Sequence, residues 1–289
     1  MAAWNQVEGG KGPDWRRRLR LLRRPVTAIG LALLLLMIVL AVLAPVLATH
    51  DPLAPDMGHF LAGPSAAHWF GTDDLGRDIF SRTLYGARVS LLSALALVMI
   101  AAALGTLLGA LAGYLGGWVD DLIMRLTDMF LAFPGLILAM AIAATLGPGL
   151  FHALIALSLV WWPSYARLVR GQFLTLRSVE YVEAARALGS PTRRIMWREI
   201  LPNAMTPLVV QITLDLGYAI LSTSGLSFIG LGVQAPTPEW GAMIAYGRSY
   251  MMNAWWYSTF PGLAIFVTVL GVNLLGDGIR DWLDPRHRR

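Results

Sequence analysis

Five long runs without a charged residue dominate this sequence, and they limit the folds that are open to it. The runs cover residues 25–49, 89–119, 129–166, 216–238 and 249–276. A helix needs about 20 mostly apolar residues to cross the hydrocarbon core of a bilayer. Only 14% of the residues are charged, against roughly 25% in soluble domains. The sequence therefore predicts an all-α, multi-pass membrane protein.

The third of these runs is long enough for two helices, because Gly147-Pro148-Gly149 forms a turn signal in its middle. Six transmembrane helices are therefore predicted, at about 26–48, 89–115, 122–145, 151–167, 205–230 and 255–275. Pro134 is expected to kink the third helix, since proline removes a backbone hydrogen bond. The Gly- and Pro-rich stretch 225–241 is predicted to be an outer loop or a partly re-entrant segment.

Basic residues are distributed unevenly among the segments that separate these helices. Of the 23 Lys and Arg residues, 18 lie in the first 24 residues, in the segment 167–203 or in the C-terminal tail. Only four lie in the two long segments that six membrane helices would place on the opposite side of the membrane. Lys and Arg are enriched on the cytoplasmic side of membrane helices. Both termini and the segment before the fifth helix are therefore predicted to be cytoplasmic.

The segment 178–203 is a polar stretch between two apolar runs. Ser178 and Ser190 are of a residue type that caps helix N-termini. Gly189 is of the type that most readily adopts the left-handed backbone conformation at a helix end. Two short helices are therefore predicted to meet at Gly189, with Pro202 ending the second one. The pattern indicates a compact corner that stands clear of the membrane.

Three charged residues stand near the start of the predicted third span. Asp121, Arg125 and Asp128 are separated by four and three residues, which places them on one face of a helix. Charges in a membrane segment are costly and need partners. We expect an ion-paired cluster near the cytoplasmic mouth, turned into the helix bundle. A substrate or proton site stays open as the alternative.

Asp215 lies about ten residues into the fifth predicted span, or about 15 Å along the helix. An acid at that depth needs a polar partner or water. Gln211 and Ser222 add polarity to the same helix, so these three residues are candidates for lining a translocation path. A polar group on another subunit is an equally open partner for Asp215.

Four glycines recur every four residues in the second span, at Gly105, Gly109, Gly113 and Gly117. Such a stripe lets another helix approach closely in a membrane. We predict that it is a packing face and not a ligand site.

The polar stretch before the second span predicts an amphipathic helix at the membrane interface. This helix is expected to begin near Asp78. Its predicted lipid-facing residues are Ile79, Phe80, Leu84 and Tyr85.

Several classes of chemistry find no support in the composition. The chain has no cysteine, and its five histidines are scattered without a recognisable ligand spacing, so no metal site is predicted. A G-x-x-x-x-G-K-[ST] phosphate loop is missing, so this chain is not expected to bind ATP or Mg²⁺. No catalytic residue, cofactor or nucleic-acid partner is predicted.

Three stretches resemble permease subunits of binding-protein-dependent ABC importers, of the dipeptide, oligopeptide and nickel branch. The first is similar to the "EAA" loop that docks on the ATPase subunits, and its matching residues are Glu183, Ala184, Ala185, Gly189, Leu201 and Pro202. The other two stretches are residues 69–90 (WFGTDDLGRDIFSRTLYGARVS) and residues 225–241 (GLSFIGLGVQAPTPEWG).

The resemblance implies a type I ABC importer permease fold with a cytoplasmic coupling helix, in the inner membrane of a prokaryote. It implies a non-catalytic subunit that forms half of a translocation path for peptides, while partner subunits bind ATP and Mg²⁺. The implied partners are a second, homologous permease, two ATPase subunits, an extracytoplasmic substrate-binding protein and the lipid bilayer.

Two alternatives accompany this interpretation. Nickel-chelate or glutathione-like substrates are alternatives to peptides in the same machinery. A proton-coupled secondary transporter, with Asp128 or Asp215 as the proton carrier, is the alternative from another class.

The predicted organisation divides the chain into five parts. They are a basic tail (1–24), a first transmembrane helix (25–49), an extracytoplasmic segment with an interfacial helix (50–88), a permease core of five spans that contains the coupling loop 178–203 (89–278), and a cytoplasmic tail (279–289).

Overall fold

The computed structural model describes residues 25–283, so the predicted basic tail 1–24 and residues 284–289 lie outside it. The described residues form helices and no β-strand. The α-helices are α1 (Pro25–Val42), α2 (Ala44–Leu47), α3 (Ile79–Leu115), α4 (Gly117–Leu131), α5 (Gly135–Leu146), α6 (Leu150–Leu176), α7 (Glu180–Ala187), α8 (Thr192–Arg194), α9 (Leu201–Phe228), α10 (Trp240–Gly247) and α11 (Trp256–Leu283). The predicted all-α fold is confirmed.

Four helices of the described chain are long and apolar enough to cross a membrane, or five if the bent pair α4–α5 forms one span. They are α1, α3, the helical run from Thr192 to Phe228, and α11. Helix α6 has 27 residues, which is about 40 Å at helical rise, but Arg167 and Arg170 interrupt its apolar sequence. The count of six spans is compatible with this arrangement and stays a prediction.

The most extensive helix contact in the described chain joins α3 to α6. At Gly105, Gly109 and Gly113 a Cβ would lie 2.4–2.7 Å from backbone or Cβ atoms of α6. Only glycine allows two backbones to approach this closely. Gly105 faces Tyr165 and Gly113 faces Phe173, so residue numbers rise together and the two helices run parallel.

The glycine stripe is therefore a packing face, as the sequence predicts, although it is one residue shorter than expected. Gly117 has no atom within 4 Å of the position that a Cβ would take. It begins α4 instead, after the chain has left α3 at Gly116.

The parallel pair sets the two ends of the molecule. Helix α3 has 37 residues, or about 55 Å at helical rise. At its C-terminal end, Arg177 Nη1 donates a hydrogen bond to the Gly113 carbonyl oxygen over 3.3 Å. The segment that follows α6, which contains α7 and α8, therefore lies at the opposite end of α3 from Ile79.

The segment before α3 folds onto the protein instead of leading into a separate interfacial helix. Asp78 caps α3, and its Oδ2 accepts a hydrogen bond from the Ser81 amide over 2.8 Å. The predicted start of the helix is thus confirmed. The predicted lipid-facing side is wrong, since Ile79 and Leu84 are buried. Ile79 packs in a cluster with Tyr257 of α11, so the first turn of α3 is covered by protein.

The predicted kink at Pro134 is a complete break. Helices α4 and α5 are bent by 92° relative to each other, and Pro134 occupies the position before α5 with an extended ψ of 118°. Proline has no amide hydrogen, and it disfavours helical geometry in the residue before it. Both effects end α4 and let a new helix begin at Gly135.

The stretch 225–241 is not one continuous helix, as predicted. Helix α9 ends at Phe228, and a loop leads to the eight-residue α10, which packs against α3, α9 and α11. Glu239 caps α10, and it is buried. Its Oε1 also accepts hydrogen bonds from the hydroxyl groups of Ser90 and Ser224. This carboxylate therefore ties three helices together.

Replacing Gly109 by alanine tests the α3–α6 contact. The added Cβ would lie 2.4 Å from the Ala166 carbonyl oxygen, and overpacking of this kind costs roughly 1–3 kcal/mol. We expect a lower midpoint of thermal unfolding in detergent. Gly171→Ala is the matched control, because a Cβ there meets no atom within 4 Å. Equal midpoints for the two variants would contradict the packing role.

Candidate functional site: an exposed corner and a polar cavity

The corner after α6 is closed by backbone hydrogen bonds around Gly189. Gly189 has φ of +76°, the left-handed conformation that the sequence predicts. The Ser190 amide donates to the Ala185 carbonyl and the Gly189 amide to the Arg186 carbonyl, each over 3.0 Å. This pair of bonds is the Schellman arrangement, which satisfies the last carbonyl groups of a helix. Gly189 therefore fixes the direction in which the chain leaves α7.

The predicted serine caps are wrong. The residue before α7 is Val179, and the Ser178 hydroxyl donates instead to the Thr175 carbonyl in the last turn of α6. The residue before α8 is Pro191, and it makes no side-chain cap. A serine hydroxyl can form a hydrogen bond with the preceding helix as well as with the next one. At Ser178 the hydrogen bond is formed with α6.

The predicted stop at Pro202 is also wrong. Pro202 lies in the first turn of α9, directly after a π-helical turn, Ile195–Ile200. The Leu201 amide donates to the carbonyl five residues earlier, that of Met196. Such a turn shifts the hydrogen-bond register directly before Pro202, so the missing amide hydrogen of this proline does not end the helical run. The helical run therefore continues into the membrane helix.

The residues that the sequence singles out at this corner fall into two groups. The exposed ones are Glu183, Ala184, Gly189 and Pro202. The half-buried ones are Ala185 and Leu201, which pack against the main core. Glu183, Ala184 and Gly189 thus form an accessible surface on α7 and its C-terminal turn. Ala185 and Leu201 lie beneath this surface, and Pro202 is exposed at the start of α9.

Two further residues of the corner were missed by sequence reasoning. Leu188 is 86% exposed and is the large apolar side chain that the turn itself presents. Val182 is fully buried and anchors α7 to the core. The helical period would have assigned Val182 to the inner face. Leu188 lies beyond the end of α7, where that period no longer applies.

A cavity of about 210 Å³ opens beside α9, and residues of α4, α5 and α6 complete its wall. Gln211, Asp215 and Ser222, the predicted path residues, all line it. Gln211 Nε2 donates a hydrogen bond to Asp215 Oδ1 over 3.0 Å. The structure therefore brings the three residues to one cavity, and its role as a translocation path stays a prediction.

An aromatic pair that the sequence did not indicate stands in the same cavity. Trp161 of α6 and Tyr218 of α9 stack with their ring centroids 5.3 Å apart and their planes 15° apart. Tyr218 is exposed. A carboxylate together with aromatic faces is suited to a positively charged ammonium group. The cavity therefore combines two features that favour cations.

The predicted ion cluster does not form. Asp121, Arg125 and Asp128 are all exposed, and no ion pair joins them to one another in the described part of the chain, while Ile123 and Thr127 form the buried face of α4. Their common face was predicted from spacing, but spacing alone does not show which face is inward.

Two ion pairs join α4 to α6 instead. Asp128 pairs with Arg167 over 2.5 Å, and both side chains are more than half exposed. Asp120 makes a bidentate pair with Arg170, in which Nη2 donates to Oδ2 over 2.6 Å. Sequence reasoning missed Asp120 because its neighbour Asp121 fitted the expected spacing.

Comparison with known proteins places this architecture in a family. Residues 105–289 match the family model described as the inner membrane component of binding-protein-dependent transport systems. Residues 15–64 match the N-terminal transmembrane domain of oligopeptide transport permease C. The chain therefore belongs to the inner membrane components of binding-protein-dependent transport systems, the permease subunits of ABC importers. The resemblance stated from the sequence is confirmed.

Individual relatives are similar over nearly their whole length. The probable D,D-dipeptide transport system permease DdpC of Escherichia coli K12 is 51% identical, over 91% of this chain and 88% of the relative. The dipeptide permease DppC of Alkalihalophilus pseudofirmus is 47% identical, over 94% and 90%. The glutathione permease GsiD of Escherichia coli O6:K15:H31 is 48% identical, over 94% and 90%.

A solved structure of the inward-facing MetNI methionine ABC transporter is also similar. It is 21% identical with a TM-score of 0.49, and the match covers 67% of this chain and 94% of that chain. A likeness at this level carries no inference about substrate or mechanism.

Replacing Asp120 by asparagine distinguishes the observed ion pairs from the predicted cluster. The Asp120–Arg170 pair is half-buried, and a charged hydrogen bond of this kind contributes roughly 1–2 kcal/mol. We expect Asp120→Asn to lower the free energy of unfolding by about that amount. The exposed neighbour gives the control, Asp121→Asn, which should be close to neutral. The reverse order of effects would support the cluster.

Proposed function

We propose that this permease imports peptides and that the corner around Gly189 receives the movement of ATP-hydrolysing partner subunits. The observation that carries the proposal is the exposed corner itself. Gly189 has a left-handed backbone conformation, and Glu183 and Ala184 are exposed. These residues belong to the sequence pattern that resembles the docking loop of importer permeases. The corner also lies at the far end of α3 from the Asp78 cap, where it is free to meet another subunit.

Peptides are the proposed substrates because the relatives share that theme in their names. They are described as D,D-dipeptide, dipeptide and glutathione transport permeases. Each is about half identical to this chain over most of its length. Such similarity supports a small peptide or a peptide-like compound as the transported molecule.

The proposed partners follow from what this chain lacks and what it exposes. Its sequence has no phosphate loop, so two ATPase subunits would bind ATP and Mg²⁺, and this subunit would be non-catalytic. Asp215 and Gln211 lie in a cavity at the side of a single chain, and a polar group facing lipid is costly. A second permease would cover this side, and an external binding protein would deliver the substrate.

The cavity is the proposed substrate path. The carboxylate of Asp215 and the stacked rings of Trp161 and Tyr218 favour an ammonium group. A peptide with a free N-terminus carries such a group, and its remaining backbone can exchange hydrogen bonds with Gln211 and Ser222. This combination favours peptides over neutral substrates of similar size.

A single cysteine introduced at Ser190 tests the proposed orientation. The basic residues favour a cytoplasmic corner, and the chain has no native cysteine to interfere. We expect labelling by a membrane-impermeant thiol reagent in inside-out vesicles and none in sealed cells. A matched cysteine at Ala235, in the loop after α9, should show the opposite pattern. Labelling at position 190 from outside would overturn the orientation.

Replacing Asp215 by asparagine tests the path and the substrate class together. In the assembled transporter, the wild type should take up dipeptides with a free N-terminus. We expect the variant to lose roughly tenfold in kcat/KM for these peptides, which corresponds to about 1.4 kcal/mol. Uptake of N-acetylated peptides should change much less, because their ammonium charge is missing.

The control for this measurement is Thr213→Val. The Thr213 hydroxyl donates to the Val209 carbonyl within its own helix, so its loss should leave the substrate preference unchanged. An equal loss for free and acetylated peptides, or absence of peptide uptake by the wild type, would contradict the proposed path.

A further inference from the structure

Three side chains from distant parts of the segment before α3 converge on one point. His50 Nδ1 lies 3.8 Å from Asp78 Oδ1, and His68 Nδ1 lies 3.0 Å from the same oxygen. The three ligand-type atoms all lie within 4.8 Å of one another. The imidazole rings of His50 and His68 stack with centroids 4.5 Å apart. The intervals of 18 and 10 residues conceal this arrangement in the sequence.

The two oxygens of Asp78 have separate tasks. Oδ2 caps α3, where it accepts hydrogen bonds from the Ser81 amide and hydroxyl over 2.8 and 2.7 Å. Oδ1 faces the two imidazole nitrogens. The helix cap therefore does not occupy the oxygen that points toward His50 and His68.

The charge of this carboxylate calls for a cation. The Asp78 side chain is fully buried, with 0% exposure. Between residues 25 and 283, no Lys or Arg nitrogen lies within 4.0 Å of its oxygens, and the ion-pair contacts shown there come from histidine. Hydrogen bonds from Thr49 and Ser81 satisfy Oδ2, so Oδ1 is the oxygen at which a cation would add to the two histidine contacts.

The geometry suits a zinc ion. Two ligand atoms of a tetrahedral site lie about 3.3–3.6 Å apart when the metal–ligand distances are about 2.0–2.2 Å. Two of the three separations, 3.0 and 3.8 Å, bracket that value, and the third is no more than 4.8 Å. The His50 side chain is 43% exposed, so an ion can enter from solvent and keep a water molecule as its fourth ligand.

We propose that His50, His68 and Asp78 form a binding site for a divalent transition-metal ion of the Zn²⁺ type. The ion cross-links the chain that follows α2, the loop at His68 and the first turn of α3. It lies at the end of α3 opposite the corner at Gly189. The site acts as a structural clamp on the segment before α3, and it is independent of the transported substrate.

The test is Zn²⁺ binding by the full-length chain in lipid nanodiscs. The chain is purified by an affinity tag that contains no histidine. Equilibrium dialysis against Zn²⁺ alone should give one saturable ion per wild-type chain, and Zn²⁺ should raise the midpoint of thermal unfolding. We expect His50→Gln to weaken the affinity by at least about tenfold, since even the loss of a group supporting a ligand costs 10- to 100-fold.

The matched control is His152→Gln, a histidine whose Nδ1 contacts the Gly147 carbonyl oxygen over 3.0 Å. Its Zn²⁺ affinity should equal that of the wild type. His50 is exposed, so its variant should fold, and its unfolding midpoint without Zn²⁺ serves as the check. No saturable binding by the wild type, or equal affinity in the wild type and His50→Gln, would overturn the site and leave only the hydrogen bond between His68 and Asp78.

Discussion

The close contact between α3 and α6 is the constraint on which the rest of the structure depends. Three glycines let the two backbones approach along more than two helical turns. Because the helices are parallel, the contact fixes the segment before α3 at one end and the corner around Gly189 at the other. It also presents Trp161 of α6 toward α9, where the polar cavity forms. A single packing face thus positions both candidate sites.

Much of this arrangement could be predicted from local signals. The apolar runs indicated a helical membrane protein, because hydrocarbon leaves few other folds for a backbone. The glycine stripe indicated a packing face, and the left-handed conformation of Gly189 followed from its position at a helix end. Each of these predictions depends on residues close in sequence.

The failures share a different cause. Pro202 was expected to stop a helix and lies inside a continuous helical run, whereas Pro134 was expected to kink a helix and breaks it completely. The outcome depends on the backbone that precedes each proline, a π-helical turn in the first case. Asp120 and Asp121 are adjacent, and only the orientation of α4 decides which one meets α6. The sequence does not contain that orientation in any local pattern.

The candidate sites show the same division. Gln211, Asp215 and Ser222 were found because polar residues on an apolar helix stand out. The stacking of Trp161 on Tyr218 joins two helices and has no sequence signature. The three proposed metal ligands, His50, His68 and Asp78, were likewise hidden, because loops bring them together. Sites built on one helix are thus visible in the sequence, and sites built by tertiary contact need the structure.

Measuring peptide uptake and ATPase binding on the same Gly189→Val variant tests the proposed coupling most directly. A side chain at φ of +76° is strained by about 1–2 kcal/mol, although a Cβ there meets no atom within 4 Å. The variant should therefore enter the membrane in normal amount but lose uptake and co-purify less ATPase. Gly171→Val, in open space on α6, should keep both. Normal uptake and normal ATPase binding with valine at position 189 would contradict the account.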